Sequence, residues 1–346
     1  MIPNASLAPL GCIKQKTLSI DRSKSCKFQL THDQTFPGPP GTSVNLRTIH
    51  EDLPPIVYGF CLKRVIHYIL NLRLCHPSTK IFISKFDFDS AYRRCHMSHT
   101  TSQESLTIHN NFLLMALCLT FGGAPCPNLW CCLSEPITDL SNILIGNEFW
   151  DHQNLYDPLV NTLGSPISLP DDIPFVQTKN LSISIPDNDI RKSDMFIDDN
   201  IATALDKDDN VKRVSSAVLL ALHTVTRPLN DSDEIPRKEI ISLKKFITKG
   251  IPSKQKIVLG WEINTRTLRI HLLMNKFTDW NENINSYLSN PRVDKKAMES
   301  LVGRLNHVAY IMDMLQHFMN RLRHSLQRSI KFRFTTLNSN KQEDLK

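Results

Sequence analysis

The sequence predicts an α+β fold, and three observations carry that prediction. Residues 80–88 (KIFISKFDF) form a β-branched and aromatic run that reads as a strand ending in acid. Residues 193–205 read as strand–turn–strand around Asp198-Asp199-Asn200. Apolar residues recur three or four apart over 211–225 and again from 295 to about 326, the spacing of helices buried along one face.

The remaining elements follow in order. Residues 1–52 read as loops and short strands, with the turn-rich run Phe36-Pro37-Gly38-Pro39-Pro40-Gly41. Over 54–74, Val57, Cys61, Val65, Tyr68 and Leu72 keep helical spacing. Residues 112–119 are apolar and run into a turn at Gly122-Gly123. Residues 134–190, rich in Pro, Asp, Asn and Ser, read as a long insertion with little helix. The helix over 211–225 takes its cap from Asp208 or Asp209. A hairpin-like region covers 256–263 and 267–273, and 295–326 is a long amphipathic helix or a helix pair. No repeat of 20–50 residues is present.

Bulk properties exclude several classes. With 346 residues, 41% of them apolar and 22% charged, the chain has ordinary globular composition and length for one to three domains. No run of eighteen uncharged apolar residues occurs, so no membrane span is expected. The first eleven residues lack a basic region followed by an apolar core, which argues against secretion. The nine cysteines are odd in number, all lie within the first 132 residues and include no CxxC pair. Reduced thiols in an intracellular protein, cytoplasmic or nuclear, fit that pattern better than disulfides or a zinc ribbon. Residues 241–346 hold 19 Lys and Arg against 8 Asp and Glu, whereas 1–240 hold 22 against 26. A basic C-terminal third suits a polyanion partner, although charge alone favours a solvated basic face.

The chemistry centres on acids. Asp87 ends an apolar strand, where an unpaired charge is penalised. Asp198 and Asp199 occupy a tight turn, and Phe196 and Asp198 share a face by the two-residue period. Carboxylates from neighbouring strand ends make an oxygen-rich site suited to Mg²⁺. Taken singly, each reads as a cap or turn residue rather than a catalytic one.

The order of motifs carries more. The chain resembles reverse transcriptases of retroelements, gypsy-like or DIRS-like, over nearly its whole length. LTHDQTFPGPPGTSVN (30–45) is similar to the fingers segment, and KFDFDSAYRR (85–94) to the first palm motif. LTFGGAPCPNLW (119–130) resembles the second, with Cys126-Pro127 in place of Ala-Pro. MFIDDNI (195–201) matches the aromatic-x-Asp-Asp box, IVLGWEI (257–263) resembles the primer-grip strand, and LVGRLNHVAYIM (301–312) the helix after it.

The resemblance implies a right-hand fold: fingers and an entry helix over 1–80, a palm over 81–265 that carries the 134–190 insertion, and a basic helical thumb or connection over 266–346. It implies an RNA-directed DNA polymerase that adds deoxynucleotides to a primer on an RNA or DNA template. Asp87, Asp198 and Asp199 would hold two Mg²⁺ ions, with Mn²⁺ able to substitute. Phe88, Tyr92, Phe121, Gly122 and Lys245 (or its neighbour Lys244) would contact the nucleotide, with Tyr92 excluding a ribose 2′-hydroxyl. Gly260 and Trp261 would steady the primer end. Arg304, Arg321 and Arg323 would track the phosphate backbone, as would Arg328, Lys331 and Arg333. Gln29 stands where the family carries an arginine that clamps the triphosphate, which removes a charge-assisted bond. That departure keeps a second reading open, an inactive nucleic-acid-binding remnant. No acidic constellation for a ribonuclease H activity is expected in the chain.

Overall fold

The computed structural model describes residues 7–18, 24–37, 42–155, 158–167, 190–226, 230, 232 and 238–345. The Gly38–Pro39–Pro40–Gly41 part of the predicted turn and residues 156–157 and 168–189 of the predicted insertion lie outside the described residues. The chain divides into two compact units, Met1–Gln15 with Cys26–His271, and Lys16–Ser25 with Leu272–Lys346.

Strands β1 (Leu10–Leu18) and β2 (Lys24–His32) pair with one another. The larger unit continues with helix α1 (Cys61–Cys75) and strand β3 (Ile81–Asp87), then the short helix α2 (His99–Ser102). Strands β4 (Leu106–His109) and β5 (Phe112–Met115) form a hairpin whose turn, Asn110-Asn111, has φ of 48° and 63°. Asparagine tolerates that left-handed pair better than other side chains, and the pair suits the twist of the flanking strands. Next come α3 (Cys126–Gly146), α4 (Pro158–Thr162), β6 (Arg191–Phe196), β7 (Asp199–Leu205) and α5 (Asn210–Thr226). Helix α6 (Leu243–Lys249) and strands β8 (Gln255–Val258), β9 (Trp261–Asn264) and β10 (Arg269–Leu272) complete the series. The hairpin-like region is therefore a three-stranded sheet in the order β10-β9-β8.

The central sheet is antiparallel in the order β3-β7-β6. Every residue of β3 is buried, because both faces of the sheet are covered. Phe86, Ala202 and Ala204 pack into one core with Trp130, Ile137 and Ile145 of α3 and Val214, Val218 and Leu222 of α5. Helix α1 packs against β3, β6 and β7 through a stripe of Leu62, Val65, Ile69 and Leu72. A strand covered on both faces cannot alternate apolar with polar, which is why residues 80–88 read as a continuous apolar run.

One reading is corrected here. Residues 134–146 are not loop but the second half of α3, with Pro136 inside the helix. The polar residues that suggested a loop are buried at helical spacing beside apolar ones, as Trp130, Ser134, Ile137, Ser141 and Ile145. Packing of that stripe outweighs the local propensities of Pro, Ser and Asn. Asn142 also covers the edge of β6: its amide donates to the Ser193 carbonyl at 2.9 Å and its oxygen accepts from the Ser193 N–H at 2.9 Å. Arg64 of α1 holds Asp194 of β6 by two bonds of 2.7 and 2.6 Å.

The smaller unit holds α7 (Met274–Ser289), β11 (Arg292–Asp294), α8 (Lys295–Ala309), α9 (Gln316–Phe332), β12 (Phe334–Thr336) and α10 (Ser339–Glu343). The predicted 295–326 element is thus a helix pair. Its stripes meet only because the chain reverses between them, bringing Met298, Leu301 and Val302 of α8 onto Met319 and Leu322 of α9. Asp294 caps α8 by accepting from the Ala297 N–H at 2.8 Å. Among the described residues no helix is long and apolar enough to cross a membrane.

Phe246 links this packing to the site below: fully buried, it lies 5.6 Å from Phe86 between ring centroids and anchors α6 to β3. Phe246→Ala is expected to lower unfolding free energy by about 3–5 kcal/mol in denaturant titration. Exposed Ile247→Ala on the same helix should change it by less than about 0.5 kcal/mol.

Candidate active site

The register of the central sheet brings the acids together. Asp87, the last residue of β3, is the direct partner of Asp199, the first residue of β7. Paired residues point to the same side of a sheet, so the two carboxylates face one another. The turn between β6 and β7 is only Ile197-Asp198, closed by the pair Phe196 and Asp199. The Asp198 carbonyl accepts from the Phe88 N–H at 2.9 Å, which ties that turn to the end of β3.

The turn is strained, and the strain has a visible support. Ile197 has φ of 55°, a left-handed conformation that a β-branched residue rarely adopts. Trp130 of α3, with 0% of its surface exposed, donates its indole N–H to the Ile197 carbonyl at 2.6 Å. The same indole meets Phe88 edge-on at 5.3 Å. A single buried ring thereby fixes both the segment after Asp87 and the turn bearing Asp198.

Three lysines surround the acids. Lys85, two residues before Asp87 and on its face of the strand, reaches Asp199 Oδ2 at 2.7 Å and Asp87 Oδ1 at 3.4 Å. Lys245 and Lys249 of α6 both reach Asp87 Oδ2, at 3.0 and 2.9 Å. Asp87 is only 2% exposed. Burial opposes its ionisation, but the bond from Asp199 and the charges of Lys85, Lys249 and Lys245 outweigh that and hold it below the usual carboxylate range. Asp199 shows the converse, pushed up to about 6 chiefly by burial, with its bond to Asp87 adding to the effect against the pull of Lys85. Asp198, half-buried, is also raised by burial and stands within the field of Lys245, Asp87 and Lys85. Nearby on β8, burial and the charges of Lys249 and Lys85 push Lys256 down to about 8.

Among the described residues no set of three His, Cys, Asp or Glu side chains is assembled as a ready cation cage, and the carboxylates are satisfied by lysine instead. The donor chemistry nevertheless fits a hard divalent ion. Asp87 Oδ1 is buried without a hydrogen-bond donor, since Lys85 lies at ion-pair distance but is not aligned on it. An all-oxygen group with one orphaned buried acceptor is the kind of donor set that Mg²⁺ takes.

The nucleotide-side residues divide into two kinds. Tyr92 follows in a 3₁₀ turn, with its ring 5.2 Å from that of exposed Phe121. Burial raises its hydroxyl pKa, with Cys126 and Asp198 adding to the effect. Lys245, rather than Lys244, is the lysine that reaches the acids. By contrast, the ring of Phe88 is buried against Trp130 and belongs to the core. Gly122 has an intramolecular reason to be glycine: at φ of 115°, a Cβ would stand 2.0 Å from the His32 carbonyl oxygen. Asn45 closes this junction, donating to the Gly122 carbonyl at 2.8 Å and accepting from the Ala124 N–H at 2.8 Å. Gln34 adds bonds to Thr120 and Ser105 of 2.8 and 3.1 Å. The segments that begin at 30 and 119 are thus interlocked.

The residues expected on nucleic acid are largely committed within the protein. Gly260, with φ of 86°, sits with Leu259 in the β8–β9 turn, while Trp261 is buried. Arg304 pairs with Asp279 at 3.3 Å and stacks on Trp280. Arg321 bonds to the Asn340 carbonyl and Asp344, and Arg323 to Asn306 and Gln316. Sequence reading missed Lys85, Lys249, Trp130, Asn45 and Arg94. Arg94 donates to the carbonyls of Asp89, Lys238 and Glu239 at 3.2, 2.8 and 2.7 Å, fixing the backbone that leads to α6. Only Lys85 had a readable signal, its two-residue offset from Asp87.

The raised Asp199 carboxyl sets a pH-dependent test of this cluster. Its folded value of about 6 exceeds the ordinary 3.8, so its penalty on the metal-free fold is absent in strong acid and complete above about 6. Asp199→Asn is expected to raise stability at pH 8 by about 1–3 kcal/mol, a gain that fades as pH falls through 6 towards 4. Thermal melts in chelator across that range would measure it.

No known protein-family profile matches the chain, and no curated protein matches it. Solved structures do. One is the foamy viral protease-reverse transcriptase in complex with RNA/DNA hybrid, at TM-score 0.50 and 12% identity, covering 99% of this chain and 33% of that one. Another is the dRH form of that protein in complex with ds DNA, at TM-score 0.47 and 12% identity, covering 96% and 44%. The chain thus spans less than half the length of either. The likeness is one of fold: this is an α+β, polymerase-like architecture.

Proposed function

We propose that the chain is the polymerase part of a reverse transcriptase of retrotransposon type, extending a primer 3′-hydroxyl with deoxynucleotides on an RNA or DNA template. The observation that carries the reading is the pairing of Asp87 with Asp199 beside the Ile197-Asp198 turn, on a fold similar to one solved with an RNA/DNA hybrid. Asp87, Asp198 and Asp199 would hold Mg²⁺, which when bound supplies an activated hydroxyl and neutralises phosphate charge.

The chain's own groups account for the rest. Lys245, with a half-exposed side chain whose ammonium is drawn to the acids, would give a proton to a departing pyrophosphate. Burial acts against its charged form, yet Asp87, Asp199 and Asp198 raise its pKa, so it is fully protonated at neutral pH. The Tyr92 ring, packed on Phe121, forms a wall that a deoxyribose clears and a ribose 2′-hydroxyl does not. Trp130 and Arg94 keep the acids and α6 in place through backbone bonds.

Primer extension on an RNA template with Mg²⁺ tests the reading. Wild type should extend with dNTPs, and Asp198→Asn should be slower by about a thousandfold, the factor that about 4 kcal/mol of transition-state stabilisation represents. Equal extension by the two proteins rejects the assignment, and duplex binding without extension favours the inactive remnant. Tyr92→Ala should keep dNTP use while raising the relative kcat/KM for ribonucleotides by about tenfold or more, as expected when a steric barrier is removed.

A further inference from the structure

Helix α6 carries two ammoniums to a single oxygen. Lys245 and Lys249 lie four residues apart on one helix face, and both reach Asp87 Oδ2. Like charges at that spacing repel unless an anion lies between them. The helix is held from three sides. The Ser242 N–H donates to the Asp87 carbonyl at 3.1 Å, and Phe246 is buried. Gly250 leaves no room for a side chain, since a Cβ would come within 2.5 Å of the Phe246 carbonyl oxygen and 2.9 Å of Leu163 Cδ2. The helix face is therefore fixed, with both ammoniums on Asp87 and the lysine side chains 49% and 45% exposed.

The three lysines differ in what they can leave. Lys85 is 8% exposed and committed to Asp199 as well as Asp87, so it remains a structural counter-ion. Lys245 and Lys249 share one acceptor and open onto solvent. As the protein stands, Asp87 is the anion that Lys245 and Lys249 share. Were divalent cations to take the aspartate oxygens, the two half-exposed ammoniums would stand side by side without that anion. A ligand bearing several negative charges in a row gives each ammonium an acceptor of its own, where Asp87 offers both the same oxygen.

We propose that Lys249 is a second polyphosphate-binding residue, forming with Lys245 a two-lysine cradle for the β- and γ-phosphates of the incoming nucleoside triphosphate. This deepens the polymerase reading and rests on it. It places triphosphate recognition on α6, at the same carboxylate cluster that would hold the metal.

Equilibrium dialysis of dTTP and of dTMP with Mg²⁺ and template but no primer tests this without any nucleotide transfer. Wild type, Lys249→Gln and Lys249→Arg are compared, each first shown to melt cooperatively. Lys249→Gln should weaken dTTP binding by about tenfold or more, the scale of one lost charge-assisted bond, and leave dTMP unchanged. Lys249→Arg should stay within about threefold of wild type, because the charge is kept. Undiminished dTTP binding by Lys249→Gln overturns the cradle alone, as does an equal loss of dTTP and dTMP. Failure of wild type to bind any dTTP overturns the polymerase reading together with it.

Discussion

The pairing of Asp87 with Asp199 across β3 and β7 is the constraint on which the site depends. Two carboxylates at adjacent strand ends repel, and burial makes each charge costlier. The protein answers with Lys85, whose ammonium lies between them, and with two further lysines delivered by α6. The cost is visible in the opposed behaviour of the two acids, one held below the ordinary range and the other pushed above it.

Holding such a cluster requires rigid surroundings, and the packing supplies them. The central sheet is covered on both faces, so β3 cannot slip without exposing one set of buried side chains. Trp130 supports the strained Ile197, and Arg94 fixes the chain that enters α6. Both act through backbone carbonyls rather than through the acids. Their effect is on where the acids and lysines stand, with no chemistry of their own.

The smaller unit makes a different use of its charge. Its arginines read in sequence as a phosphate-tracking face, yet Arg304, Arg321 and Arg323 each bond within the unit. Arg304 also lies over the Trp280 ring, 5.8 Å from its centroid.

The sequence by itself determined the α+β class, the strand ending at Asp87, a tight turn at Asp198 and the helix over 211–225, because each is a local pattern of period or turn chemistry; Asp199, expected in that turn, is instead the first residue of β7. The order of motifs also identified which acids belong together. Tertiary structure alone decided the rest, since it depends on residues far apart in the chain. It carried α3 through Pro136 to Gly146 by burying a stripe of polar and apolar residues. It made Gly122 a necessity through the approach of His32, and turned Phe88 and Trp261 into core residues. It also placed Lys249 on Asp87, a contact 162 residues long that no local spacing reports. Periodicity reveals which face of an element is buried; which distant charge it meets follows only from packing.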